Sequence, residues 1–103
     1  MGRPRIQVDQ AELAAFCRRN HIRRLSLFGS VLRDDFSPDS DVDVLVEFDE
    51  EADVSLLDMV RLEEQLSEIL GRKVDLRTPG DLSRYFRVRV LRDAVVQYVA
   101  DGS

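Results

Sequence analysis

Two aspartates one residue apart, Asp41 and Asp43, stand at the head of an apolar run, Val44-Leu45-Val46. Ten residues separate them from a Gly29-Ser30 pair, which closes an earlier apolar stretch ending Ser26-Leu27-Phe28. On a strand, side chains at i and i+2 share a face, so the two carboxylates project together from Cα atoms about 6.5–7 Å apart. From that separation they can converge on a hard, oxygen-seeking cation such as Mg²⁺. Gly29, lacking a Cβ, lets the backbone turn sharply and approach a ligand closely. Ser30 then offers a hydroxyl and an amide to a phosphate. A phosphate turn beside a metal-binding Asp-x-Asp suits nucleotidyl transfer, where an α-phosphate and a departing pyrophosphate carry dense negative charge and catalysis is mostly positioning and charge neutralisation by metal ions.

Two plainer readings compete. Asp39, Asp41, Asp43 and Glu50 imitate the one, three, five and twelve positions of an EF-hand loop, but Val44 stands where that loop needs glycine. A solvated acidic loop is the stronger competitor, because Asp, Ser and Pro gather in turns for local reasons. It leaves unexplained why Asp43 sits inside an apolar run.

The pattern G-S-x10-D-x-D between two apolar strands resembles the signature of the nucleotidyltransferase superfamily that includes DNA polymerase β and the aminoglycoside nucleotidyltransferases. At 103 residues the chain looks like the minimal nucleotidyltransferase (MNT) family. The resemblance covers nearly the whole chain, with few specific residues: Gly29, Ser30, Arg33, Asp41, Asp43 and Asp75. The family turn commonly reads G-S-x-A-R-G; Arg33 matches it and implies a nucleotide contact, whereas Leu32 and Asp34 depart from the usual small residues. In the superfamily a third strand brings a further carboxylate that binds metal and helps take the proton from the attacking hydroxyl. By position Asp75 is similar to that residue, while its flanking Lys73 and Arg77 leave a local ion pair as the alternative.

The elements that must position these residues follow from periodicity. Asp9 with Glu12 reads as a helix cap, and Leu13, Phe16 and Cys17 as the buried face of the helix, which Asn20 ends. Ile22 to Phe28 is a strand, and residues 31–36 form a short helical turn whose amides aim at phosphates. After the second strand, Asp53 or Ser55 caps a helix with Leu56, Met59, Val60, Leu62, Leu66, Ile69 and Leu70 at helical spacing, and Gly71 terminates it. Lys73-Val74-Asp75-Leu76-Arg77 is a third strand. Residues 81–100 read as one amphipathic helix, capped by Asp81, with Val88, Leu91, Val95 and Val99 on its apolar stripe; it either closes the core or docks a partner. The order predicts an α+β domain over residues 1–103, a small mixed β-sheet covered by helices, and the resemblance implies the polymerase β-like palm fold.

Composition narrows the function. Residues 34–58 hold eleven carboxylates and no Lys or Arg, whereas residues 72–92 hold seven basic side chains against Asp75 and Asp81. The net charge of −5 argues against gripping nucleic acid through its phosphates. The acidic block suits a metal site and a basic partner protein; the basic block is either a solvated helix face or a help to the triphosphate. No apolar run is long enough to span a membrane and no signal peptide is evident, so a cytoplasmic protein is expected. The lone Cys17 reads as a buried, inert thiol, and His21 as a surface residue.

The resemblance implies an enzyme that uses ATP and two Mg²⁺ ions to move AMP to a hydroxyl. Members of the minimal family are typically paired with a HEPN-domain toxin and act as its antitoxin, which implies a hetero-oligomer and a tyrosine of that partner as acceptor. Two alternatives stand beside it: a non-catalytic antitoxin that neutralises its partner by binding, and a subunit of a small-molecule nucleotidyltransferase.

Overall fold

Alternating burial along three short apolar runs builds a sheet with two unlike faces. The computed structural model of the chain describes residues 6, 8–33, 37 and 39–100. Its elements, in order, are α1 (Gln10–Arg19), β1 (Ile22–Phe28), a 3₁₀ turn (Gly29–Leu32), β2 (Val42–Phe48), α2 (Leu56–Leu70), β3 (Val74–Arg77), a second 3₁₀ turn (Pro79–Asp81), α3 (Arg84–Asp93) and β4 (Val95–Val99). The strands lie in the order β3-β2-β1-β4. β1 is antiparallel to both β2 and β4, and β2 is parallel to β3, so the sheet is mixed and the α+β expectation holds.

Under α1 and α2 the sheet presents Leu25 and Leu27 of β1, Val42, Val44 and Val46 of β2, and Val74 and Leu76 of β3. Leu13, Phe16 and Cys17 of α1 and Leu62, Leu66 and Leu70 of α2 complete that core. Each such side chain, fully buried, contributes roughly 1.5–3 kcal/mol of hydrophobic stabilisation before entropy is counted. Burial pushes the Cys17 thiol up to about 12, so it is a packing residue as expected. The opposite face carries a much smaller cluster, Phe28, Leu45, Leu82 and Val90, with Ala94 against it.

Local chemistry sets the helix ends. Asp9 accepts from the Glu12 amide at 3.1 Å, and Asn20 caps the far end of α1 by donating to the Phe16 carbonyl at 2.9 Å. At the start of α2, Ser55 and Asp58 exchange hydrogen bonds in a capping box, so Ser55 is the cap rather than Asp53. Gly71 ends α2 in the left-handed conformation, φ 68°, as a glycine can without strain.

Two expectations are corrected. The helix expected over residues 81–100 breaks at Ala94, and β4 follows. Ala94 is already extended, the next residues are β-branched and aromatic, and pairing of Arg24 with Val99 and of Leu27 with Val95 satisfies the outer backbone of β1, a long-range benefit that helical spacing could not reveal. Asp81 does not cap α3. It bonds back to Thr78, and Ser83 is the cap. The stripe on α3 is also inverted: Val88 is 64% exposed and Val90 5%. The second correction concerns α2, whose first apolar residues, Leu56 and Val60, face solvent. The buried face of α2 centres on Leu62, Leu66 and Leu70, and Leu56 and Val60 lie about 80° and about 120° around the helix from it. No helix among the described residues is long and apolar enough to cross a membrane.

Candidate active site

All the strand-borne polar residues singled out by sequence fall on the less covered face. Phe28 pairs with Asp43, and Asp43 with Asp75, so one row crosses β1, β2 and β3. Asp43 and Asp75 are half-buried, and Asp41, one residue before β2, is exposed. Burial is the largest influence on Asp43 and raises its proton affinity above the ordinary carboxylate range. The neighbouring charges of Asp75 and Asp41 push the same way, while a hydrogen bond from the Ser30 amide and the Arg77 charge partly oppose them. Asp43 therefore lies within electrostatic reach of both other expected carboxylates, with strand register placing Asp75 beside it.

Gly29 has a more specific role than expected. Its φ is +77°, a conformation that side chains rarely adopt, and a Cβ placed there would run into Oδ2 of Asp43. The glycine is required because the chain turns directly over the Asp43 carboxylate. The Ser30 amide, expected to meet a phosphate, instead donates to Asp43, leaving the Ser30 hydroxyl as its group for a ligand. The turn itself begins at Gly29 rather than at residue 31 and is a single 3₁₀ turn, with Arg33 exposed at its end and donating its amide to the Ser30 carbonyl at 2.9 Å. The departure at Asp34 and the rest of the expected turn, residues 34–36, lie outside the described residues.

Asp75 is fastened as well as presented. Arg77 grips it with Nε 3.2 Å from Oδ1 and a terminal nitrogen 3.3 Å from Oδ2, the ion pair that the flanking residues allowed. The outer edge of β3 is tied to α2: Glu63 Oε2 accepts from the Leu76 amide at 2.8 Å, and Ser67 Oγ accepts from the Val74 amide at 3.0 Å. An edge strand with satisfied amides is held in register and shielded from stray pairing, so Glu63 and Ser67 fix where Asp75 stands. Sequence reasoning passed over both. Their only local signal is that they follow Leu62 and Leu66 by one residue each, on the flank of the buried stripe. Arg72 was also missed as a tether; it reaches the Ser37 and Ser40 carbonyls at 2.7 and 3.2 Å, holding the chain that leads into Asp41.

The donor set, carboxylate oxygens with one hydroxyl nearby, matches hard divalent cations and not soft ones. Crowded negative charge on Asp43 is what a cation would relieve. Among the described residues no three acidic, histidine or cysteine side chains are already gathered around one ion position; Asp75 is turned to Arg77. Asp41 and Asp43 have the donor chemistry for such a cation, and Asp75 would add to it only if released from Arg77. Two clefts lie elsewhere: one of about 360 Å³ between α1 and α2, and one of about 350 Å³ near Phe48, Ser55 and Thr78. Neither is lined by these aspartates.

Comparison with known proteins agrees with this geometry. Residues 11–98 match the nucleotidyltransferase domain family. The protein adenylyltransferase MntA of Thermococcus cleftensis is 42% identical over 74 residues, 72% of this chain and 73% of that one. A solved structure described as a candidate minimal nucleotidyltransferase shares 37% identity, with a TM-score of 0.69 over 84% of this chain and 86% of its own. A complex of a tri-AMPylated Shewanella oneidensis HEPN toxin with its MNT antitoxin aligns at a TM-score of 0.64 over 88% of this chain and 70% of that one; at 19% identity it shares the fold. Since the match runs from α1 into β4 and takes in the glycine turn and all three aspartates, the chain belongs to the nucleotidyltransferases and is an enzyme of that type.

Proposed function

We propose that this chain is a Mg²⁺-dependent adenylyltransferase that moves AMP from ATP to a hydroxyl, a tyrosine of a HEPN-domain partner toxin, and thereby acts as that toxin's antitoxin. The observation that carries the reading is the row of Asp43 and Asp75 beneath the Gly29 turn, with Asp41 two residues before Asp43. Bound Mg²⁺ supplies charge neutralisation at the α-phosphate and the departing pyrophosphate. Asp41 and Asp43 would hold the ions, and Asp75 would join them if Arg77 released it. The Ser30 hydroxyl and the Arg33 guanidinium would contact the triphosphate. The acceptor oxygen bonds to the α-phosphorus, the bond to pyrophosphate breaks, and Asp75 helps take the hydroxyl proton. The relative named a protein adenylyltransferase and the AMPylated HEPN toxin bound to an MNT antitoxin support AMP as the group moved and a HEPN protein as the acceptor.

Incubating the chain and its partner with ATP and Mg²⁺, then weighing the partner intact, tests this. Each transferred AMP adds about 329 Da, and the addition should vanish with Asp41→Asn, with Asp43→Asn or with a chelator. Melting temperature should rise most with Mg²⁺ and ATP together; indifference to both in folded protein would sink the reading. The grip of Arg77 on both oxygens of Asp75 favours one alternative, an antitoxin that works by binding alone. That alternative wins if Asp43→Asn still protects against the toxin while the partner's mass never changes.

A further inference from the structure

We propose that Tyr85 of one copy of this chain is an AMP acceptor for the site of a second copy. The inference rests on the adenylyl-transfer reading above and extends it to a modification site on the enzyme itself.

Four observations converge on Tyr85. It is 86% exposed in the first turn of α3, so its ring and hydroxyl touch little of their own chain and do not lie in their own site. α3 is held to the sheet by Val90, with Leu82 just before it, against Phe28 and Leu45, which fixes the opposite side of the helix outward. Tyr85, Val88, Arg89 and Arg92 fall at i, i+3, i+4 and i+7, one helical face, and all four are exposed. The tyrosine is therefore presented on a rigid, basic, partly apolar surface, with Arg84 beside it. The proposed site supplies charge of the opposite sign from the head of β2, where Asp39 and Asp41 are exposed beside the half-buried Asp43. Opposite charge steers two such surfaces together and fixes their orientation. The only other tyrosine, Tyr98, is half-buried on β4 and packs against the core, so it is not presented.

The step is the one already described with a different acceptor. Tyr85 Oη bonds to the α-phosphorus of ATP, the bond to pyrophosphate breaks, the phenolic proton passes to the carboxylate base of the other copy, and a tyrosyl-AMP phosphodiester and pyrophosphate result. No oxidant or further reactant is needed.

The test separates donor from acceptor. A chain carrying Asp43→Asn keeps Tyr85 but lacks the site; a chain carrying Tyr85→Phe keeps the site but lacks the acceptor. Each alone with ATP and Mg²⁺ should gain no mass, whereas the mixture should add about 329 Da to the Asp43→Asn chain only, mapped to Tyr85 by peptide sequencing. With the unmodified protein, the initial rate per chain should rise in proportion to chain concentration and fall severalfold between low salt and about 0.5 M salt as screening sets in. Label on the Tyr85→Phe chain, or at another residue, overturns the assignment. So does a rate per chain independent of concentration. Transfer to a HEPN-domain partner with none to Tyr85 overturns self-modification and leaves the adenylyltransferase reading standing. No transfer to either protein, with no pyrophosphate released, removes both.

Discussion

The two faces of the sheet solve different problems with the same strands. On the closed face, β1, β2 and β3 contribute unbroken rows of Leu and Val to the core under α1 and α2. On the open face the same strands present Phe28, then Asp43, then Asp75, with only Leu45, Leu82 and Val90 packed nearby. Period-two alternation lets one side of a strand be spent on stability while the other bears groups that destabilise it. Asp43 embodies the cost, since burial and two neighbouring carboxylates disfavour its charged form. Polar strain of this kind is tolerated because the closed face supplies the stability and the Ser30 amide and Arg77 moderate the charge.

Substitutions can break this division of labour. The largest effect should come from Asp43→Asn on the open face: AMP transfer falls about a thousandfold, roughly 4 kcal/mol of transition-state stabilisation, while the melting temperature holds or rises because a disfavoured charge is gone. Unfolding of that variant, seen by circular dichroism, would make the open face structural and erase the distinction. Next, Leu66→Ala on the closed face should cost about 2–5 kcal/mol in chemical denaturation and leave the activity of the folded fraction unchanged. Leu82→Ala, in the smaller cluster, should cost less; equal losses would mean that both faces carry the fold alike. Gly29→Ala joins the two effects, since it strains the turn by about 1–3 kcal/mol and displaces the Asp43 carboxylate, so stability and transfer should fall together.

The smallest effect lies remote from both faces, at the start of α2. Asp58 has its carboxyl held below the ordinary value of 3.8, first by the Ser55 amide and then by the Ser55 hydroxyl. A depressed carboxylate contributes stability above its unfolded value and loses it as pH falls through the lower, folded value. Asp58→Asn should therefore be slightly less stable than the parent at pH 7, and the gap should close as pH falls through the lowered, folded value. Ser55→Ala should cost about 0.5–2 kcal/mol and flatten that pH dependence. A gap that persists unchanged in strong acid would remove Ser55 as its cause.

What sequence alone determined was whatever depends on near neighbours. Gly29-Ser30 and Asp41-Val42-Asp43 could be singled out because turn chemistry and strand alternation act over two or three residues, and the caps at Asp9, Asn20, Ser55 and Gly71 act within one helical turn. The stripe of Leu62, Leu66 and Leu70 was equally plain. Tertiary structure decided everything that needed two distant segments to meet. Whether Asp75 stands beside Asp43 depends on the parallel register of β2 and β3 and on the bonds that Glu63 and Ser67 make to the edge of β3, pairings that no local pattern encodes. That Gly29 must clear the Asp43 carboxylate is visible only once β1 and β2 are paired. Residues 95–99 illustrate the same limit. Their valines continue the helical spacing of α3 yet form β4, because the open edge of β1 offers backbone hydrogen bonds and burial that an isolated helical turn cannot match.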